Sequence, residues 1–307
     1  MGRYLFQRLV HSILVVLGVS AIVFGLMFLA GDPVALLLPG DDVSKEEIEA
    51  FRASMGFDRP VYEQYLRYLG RAARGDLGYS FRHQQPAATL VFERVPATLE
   101  LAFSALFVSL VIGVSVGIVA AMKRGTSQDA LVTAAAVAGN SMPVFWLGIV
   151  LILTVSVWLQ WLPASGRGGV DHLILPSLTL GAYSGSITAR LLRSSLIEVL
   201  GRDYIRTARA KGLAESVVIR RHSLKNAALP VVTVIGLQMG QLLSGAIITE
   251  TVFAYPGMGL LAIQAIRNRD VPVVQAFVLV AAIVVLVVNL IVDLMYVYLD
   301  PRVRYAD

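Results

Sequence analysis

The sequence predicts an all-α integral membrane protein with six transmembrane helices and a small helical extracytoplasmic insertion after the first span. Three observations predict it. Of 307 residues, 56% are hydrophobic and only 15% charged, and the mean hydropathy is +0.71; soluble domains average about 45–50% apolar and about 25% charged residues. Six runs each approach the roughly 20 apolar residues that cross a hydrocarbon core of about 30 Å. Finally, Lys and Arg fall mainly in alternate connections, which sets a sidedness.

The first run, 9–30, is far longer than the roughly 7–15-residue core of a secretory signal, and FLAGDP is a poor cleavage site. It reads as an uncleaved anchor, so residues 1–30 form a cytoplasmic tail plus the first span. Residues 31–97 are too polar for lipid and form an extracytoplasmic cap. In it, Ser44 and Glu47 make a capping box that opens a helix ended by Gly56. A second helix over 61–74 places Tyr62, Tyr65, Leu66 and Leu69 on one face, and Gly75-Asp76-Leu77-Gly78 reads as a turn. Residues 98–299 hold five more spans (99–121, 130–159, 173–192, 228–253 and 273–299), with a cytoplasmic loop at 193–227. A tail, 300–307, follows. In lipid, backbone polar groups must be satisfied within the segment, which leaves helices as the choice for these runs.

Arg3 and Arg8 precede the first span, Lys123 and Arg124 separate the second from the third, and Arg302 and Arg304 follow the sixth. With the run 190–225, these groups all fall on one side, so both termini are expected in the cytoplasm. The formal net charge of +5 is then mostly topology, and no nucleic-acid partner is expected. The absence of cysteine excludes disulfides and thiolate chemistry. The four histidines show no metal-ligand spacing. No Gly precedes a Lys, so a Walker A loop is excluded and any ATP must be bound by another chain.

The most basic stretch is RDYIRTARAKGLAESVVIRRHSLKNAALP, Arg202 to Pro230. Asp203 is placed to cap a short helix running to Lys211, with Gly212 as its left-handed stop. A second helix runs from about Glu215 to Lys225, and Pro230 suits the first turn of the next span. A basic loop that only enforces topology, an interfacial helix, and a docking site for a cytoplasmic protein compete as readings; the apolar face is too poor for the interfacial one.

Within the spans, polar residues face an interior or a cavity. Asn140, Ser141, Ser184, Gln238, Gln241, Thr249 and Glu250 are the candidates for a solute path, with helix packing as the competing reading. Ser177, Gly181 and Thr188 share the theme of Ser184, Gly236 and Gly240 have GxxxG spacing, and Asn140, Ser141 and Pro143 mark a kink. A gradient-driven secondary transporter would call for buried acids near mid-depth. Only Glu250 and Asp293 lie near the membrane, both toward ends. No paired acids, GxSxG elbow or metal spacing supports an intramembrane enzyme.

The stretch RTARAKGL, with Arg206-Thr207-Ala208 followed by Gly212, resembles the EAA-loop of binding-protein-dependent ABC transporter permeases. RRHSLKNAALPVVT is similar to the dipeptide/oligopeptide/nickel branch. GDP at 31–33, GDLGYS at 75–80, PATLELA at 96–102, NSMPVFWLG at 140–148, LPSLTLG at 175–181, ETVFAYPGMG at 250–259 and DPR at 300–302 fit in order. Two departures exist: Arg206 replaces the Glu of the motif, and Lys225 stands where many importers have Pro. Both resemble habits of the peptide branch.

The resemblance implies a type I importer permease in a bacterial-type cytoplasmic (inner) membrane, with no catalysis of its own. It further implies that Tyr204, Arg206, Thr207, Ala208, Arg209, Ala210, Lys211 and Gly212 form a coupling loop held by separate ATPase subunits. The implied partners are two ABC ATPases, a second homologous permease, an extracytoplasmic substrate-binding protein and membrane lipid. The chain itself is expected to bind no cofactor, ATP and Mg residing in the partners. Dipeptides or oligopeptides are the expected cargo, with a nickel chelate or glutathione as alternatives.

Overall fold

The computed structural model describes residues 2–29, 46, 49–50, 52–53, 56 and 58–299. The capping box at Ser44 and Glu47, the GDP string and the tail 300–307 lie outside the described residues. In chain order the elements are α1 (Gly2–Leu29), α2 (Val61–Ala72), β1 (Tyr79–Ser80), β2 (Gln85–Pro86), α3 (Ala87–Phe92), α4 (Val95–Met122) and α5 (Ser127–Ser141). Next come α6 (Val144–Leu151), which runs into a π-helical stretch (Ile152–Trp158), then α7 (Val170–Leu200) and α8 (Asp203–Ala210). A short α9 (Glu215–Val217) leads through a second π-helical stretch (Val218–Ser223) into α10 (Leu224–Ala227), α11 (Leu229–Val252), α12 (Met258–Arg267) and α13 (Val271–Leu299).

Among the described residues, four stretches are long and apolar enough to cross a membrane: Gln7–Gly25, Ala87–Met122, Leu229–Val252 and Val271–Val292. A fifth is reached if Ser127–Gly139 and Val144–Trp158, which meet at 105°, count as one broken span. The break falls at Met142-Pro143, where Met142 turns extended because the residue before proline is pushed out of the helical region. The expected fourth span lies inside α7, which is long enough but more polar than the others. Its position explains that composition. α7 packs against α5, α6 and α11, and Ser177, Thr179, Ser184, Ser186 and Thr188 are all buried. A helix walled by other helices gains little from being apolar all round.

Two compact units divide the chain, the first drawn chiefly from Met1–Pro96 with Gly257–Leu290 and the second chiefly from Ala97–Pro256. In the first unit, α2 docks on α1 through its aromatic side chains. The Tyr65 hydroxyl donates to the Leu17 carbonyl at 3.0 Å, and Phe24 packs against both Tyr65 and Tyr68. The face expected from sequence is therefore split. Tyr65 and Leu69 pack inward with Tyr68, whereas Tyr62 and Leu66 are exposed, being turned about 100° per residue away from that row. The β1–β2 ladder, Tyr79 opposite Pro86 and Ser80 opposite Gln85, adds a hairpin, the one sheet among the described residues. Ser80 Oγ donates to Asp270 Oδ2 at 2.5 Å, and Leu77, Val91, Met258, Leu261 and Val273 form the core beneath it.

In the second unit, α4 and α7 meet backbone to backbone. A Cβ on Gly181 would stand 2.6 Å from the Ala105 carbonyl oxygen, and one on Gly113 2.6 Å from Thr188 Cβ. Gly117 and Gly185 continue the seam. Each helix thus presents a GxxxG pair, the spacing that permits close helix approach in membranes. At the other end of α7, Arg193 grips Asp129 through two bonds of 2.8 Å, which ties down the start of α5.

Candidate functional site

The basic stretch folds as an elbow. α8 begins at Asp203, with Arg202 at the cap position and no side-chain cap bond, which corrects the expected Asp203 cap. Placed in the first turn, the Asp203 carboxylate instead meets the positive end of the helix. The turn closes at Gly212, whose φ of +76° lies in the left-handed region that glycine tolerates without cost. Its N–H donates to the Arg209 carbonyl at 2.9 Å. The chain then re-enters helical backbone at Glu215 and stays there through Ala227. Pro230 sits in the first turn of α11, where a missing N–H costs nothing.

Two interactions make the elbow a small rigid body. Ile205, Ala208 and Val218 bury their side chains together, backed by Val199 and Leu200. Across the Gly212 turn, Arg209 donates to both oxygens of Glu215, at 2.6 Å from Nη2 and 3.1 Å from Nε. That bond pulls the Glu215 carboxyl below its ordinary range and holds the Arg209 guanidinium above its own. A carboxyl depressed by folding contributes in full above its unfolded value and fades as pH falls through the lowered one, so the clamp is intact at neutral pH. Both side chains are more than a third exposed, and such a pair is worth at most about 1 kcal/mol. Glu215→Gln should therefore leave the thermal midpoint unchanged while amide exchange across 203–218 speeds up, measured by deuterium uptake.

Of the eight coupling-loop residues, Tyr204, Arg206, Thr207, Arg209, Ala210, Lys211 and Gly212 are exposed. Ala208 is not. At 6% exposure it packs with Ile205 and Val218 in the elbow's own core. Sequence reading missed the Arg209–Glu215 clamp; opposite charges flanking a left-handed Gly were the available signal.

The membrane candidates separate into two groups. Ser184, Gln238, Thr249 and Glu250 are buried. The Gln238 amide donates to the Ser184 carbonyl at 3.0 Å and to Thr188 Oγ1 at 3.2 Å, binding α11 to α7 as interhelical glue. Glu250 accepts from Thr98 Oγ1 at 2.6 Å. Ser141 and Gln241 are exposed, although the Ser141 hydroxyl returns to the Val137 carbonyl at 2.9 Å. Asn140 belongs to α5, and its side chain lies outside the described residues.

Gln241 has company on its helix. Thr233, Leu237, Ser244 and Ile248 are exposed with it, and at about 100° per residue all five fall on one face of α11. Near the end of α11, Arg167 donates to Glu100 at 2.9 and 2.6 Å, and the Tyr255 hydroxyl reaches the same carboxylate at 3.1 Å. The Tyr255 phenol is pushed up to about 12, first by burial and then by the Glu100 charge. It stays a neutral donor throughout the physiological range. Among the described residues no three His, Asp or Glu side chains gather as a metal site.

Comparison with known proteins places this geometry. Residues 113–305 match the model of a family described as "binding-protein-dependent transport system inner membrane component", and residues 1–102 match its N-terminal companion. The chain is 40% identical over 337 aligned positions to the dipeptide transport system permease protein DppB of Escherichia coli (strain K12), covering 99% of both chains. It is 41% identical over 306 positions to the glutathione transport system permease protein GsiC of the same strain, covering 99% of this chain and 100% of that one. Among solved structures, the fold is similar to an inward-facing MetNI methionine ABC transporter chain, at TM-score 0.58 and 21% identity, over 69% of this chain and 96% of that one. The apolar helices, the elbow and the match along the chain lead to one conclusion: this chain belongs to the family of binding-protein-dependent transport system inner membrane components.

Proposed function

We propose that the chain is the permease subunit through which an ATP-driven importer passes dipeptides or oligopeptides across a bacterial-type cytoplasmic membrane. The observation that carries the reading is 40% identity, along 99% of the chain, to a protein named as a dipeptide permease. Glutathione, named for the second relative, is itself a short peptide and belongs to the same cargo class. Both termini and the elbow face the cytoplasm, in keeping with the one-sided Lys and Arg. The span count is six, with α7 crossing at the centre of the second unit.

In this reading α8 and the Gly212 turn sit in a cleft of a separate ATPase, one for each of two permeases. ATP and Mg are held there; the permease performs no chemistry. A small packed helical body suits this task because it transmits rigid-body motion between packed elements. The α11 face of Thr233, Gln241 and Ser244 lines the route or meets a second, homologous permease. Uncharged amides and hydroxyls there bind a zwitterionic solute weakly at either end. An extracytoplasmic binding protein delivers the cargo.

The test is uptake into proteoliposomes holding this chain, its companion permease, both ATPases and the binding protein. Expected is ATP-dependent entry of labelled dialanine, with glutathione competing. Preference for nickel–histidine over both peptides would overturn the cargo class. Uptake by this chain alone under a proton gradient would overturn the ATPase coupling altogether.

A further inference from the structure

In the first unit a cavity of about 610 Å³ opens beside α2. Arg67, Arg71 and Arg74 line it, and their spacing of four and three residues places them on one face of the helix and its C-terminal extension. Tyr68 lines it too. Its side chain is only 5% exposed, and its hydroxyl is buried with no hydrogen-bond partner. A phenol in that condition is costly, because burial removes its water without supplying a replacement. A cationic rim above an unsatisfied buried donor is chemistry arranged for an oxyanion.

The cavity's height identifies which oxyanion. Phe24, Val271 and Pro272 are also in its wall. Phe24 stands at the end of the apolar stretch Gln7–Gly25, and Val271 opens the apolar stretch Val271–Val292. The cavity therefore sits where hydrocarbon gives way to head groups. Beside it, Val61, Tyr62 and Leu66 are exposed, the apolar side of a helix lying at an interface. One carboxylate, Asp76, shares the wall, but it accepts the Gly78 N–H at 3.0 Å. Glu63, which is paired with Arg59 and Arg67, does not line the cavity. The rim therefore keeps an excess of positive charge.

We propose that this cavity is a binding site for the phosphate of an anionic phospholipid, held by Arg71 and Arg74 with Arg67 at the rim and the Tyr68 hydroxyl donating from below. The assignment rests on the membrane-spanning character of the first unit and is independent of the cargo or of ATPase coupling. An ordered lipid here fastens α2 to the ends of α1 and α13 from the lipid side.

Native mass spectrometry of the full chain, released from micelles containing equal phosphatidylglycerol and phosphatidylcholine, reads it directly. One phosphatidylglycerol is expected to be retained in preference to phosphatidylcholine. In Arg71→Gln/Arg74→Gln this retention should weaken by about 30-fold, two basic side chains' worth at an anionic surface, while Lys123→Gln/Arg124→Gln retains it. Tyr68→Phe supplies a readout that misfolding does not mimic. It should raise the thermal midpoint in neutral detergent, where it removes an unsatisfied hydroxyl, and cut the gain in midpoint on adding phosphatidylglycerol. Equal lipid retention in the arginine variant overturns the proposal. So does displacement of the lipid by millimolar inorganic phosphate, which would mark a free-anion site. Loss of binding-protein capture with lipid retention unchanged also overturns it, by making the rim a protein contact.

Discussion

Gly212→Pro is expected to abolish peptide uptake while the chain still inserts and accumulates in the membrane at its normal level. Proline fixes φ near −65°, whereas Gly212 sits at +76°, and the ring removes the N–H that reaches the Arg209 carbonyl. The combined cost is about 3 kcal/mol or more, enough to open the turn and swing α8 away from Glu215 and Val218. Insertion should survive because the turn lies outside every apolar stretch. The space around the glycine is open, with nothing within 4 Å of a built Cβ, so the backbone angle sets the constraint and side-chain size does not. Gly212→Asn, which accepts left-handed backbone, should therefore keep most of the uptake. Normal transport by the proline variant in reconstituted proteoliposomes would remove the elbow from the mechanism.

Gly181→Leu is expected to have the largest effect on stability. The first added atom already stands 2.6 Å from a backbone oxygen of α4, Ala105 O, with Val108 at 3.1 Å. The oxygen is main chain and the β-branched Val108 is stiff at χ1, so α4 and α7 must part. Overpacking of a tight core costs about 1–3 kcal/mol, and a clash with main chain belongs at or above the upper end. The measurement is the fraction of protein that remains monodisperse in detergent after heating, where the variant should fail roughly 5–10 °C below the parent. Gly18→Leu, on α1 with nothing within 4 Å of its Cβ, should behave as the parent does. A Gly181→Leu protein as robust as Gly18→Leu would mean that the seam is looser than described.

Most of the fold was readable because lipid imposes a length rule that composition cannot disguise. α1, α4, α11 and α13 each satisfy it. α7 meets it in length but not in apolar content, since a helix buried among helices can be rich in Ser and Thr, and the reason for that composition is visible only once its neighbours are placed. Pro143 announced the break between α5 and α6, yet the 105° angle depends on what the two halves pack against. The elbow's outline was legible from Gly212 and Pro230. Its cohesion was not: burial of Ala208 and the Arg209–Glu215 clamp are contacts across a turn, and a linear pattern does not say which side chains meet there. The polar membrane residues were the least legible. Gln238 and Gln241 are three apart and chemically identical, but one is locked into α7 and the other lies on the open stripe, a distinction made by helical phase against a neighbour.

The run from Glu215 to Val252 has a mechanical corollary. Val218, Leu224 and Ala228, which stand at the junctions of its pieces, all keep right-handed helical backbone, so no loop intervenes between the elbow and the stripe of Thr233, Gln241 and Ser244. A displacement of the elbow therefore has continuous right-handed helical backbone through which to reach those side chains. The wider π-helical winding at Val218–Ser223 is the one collar along it where slack can be taken up or released.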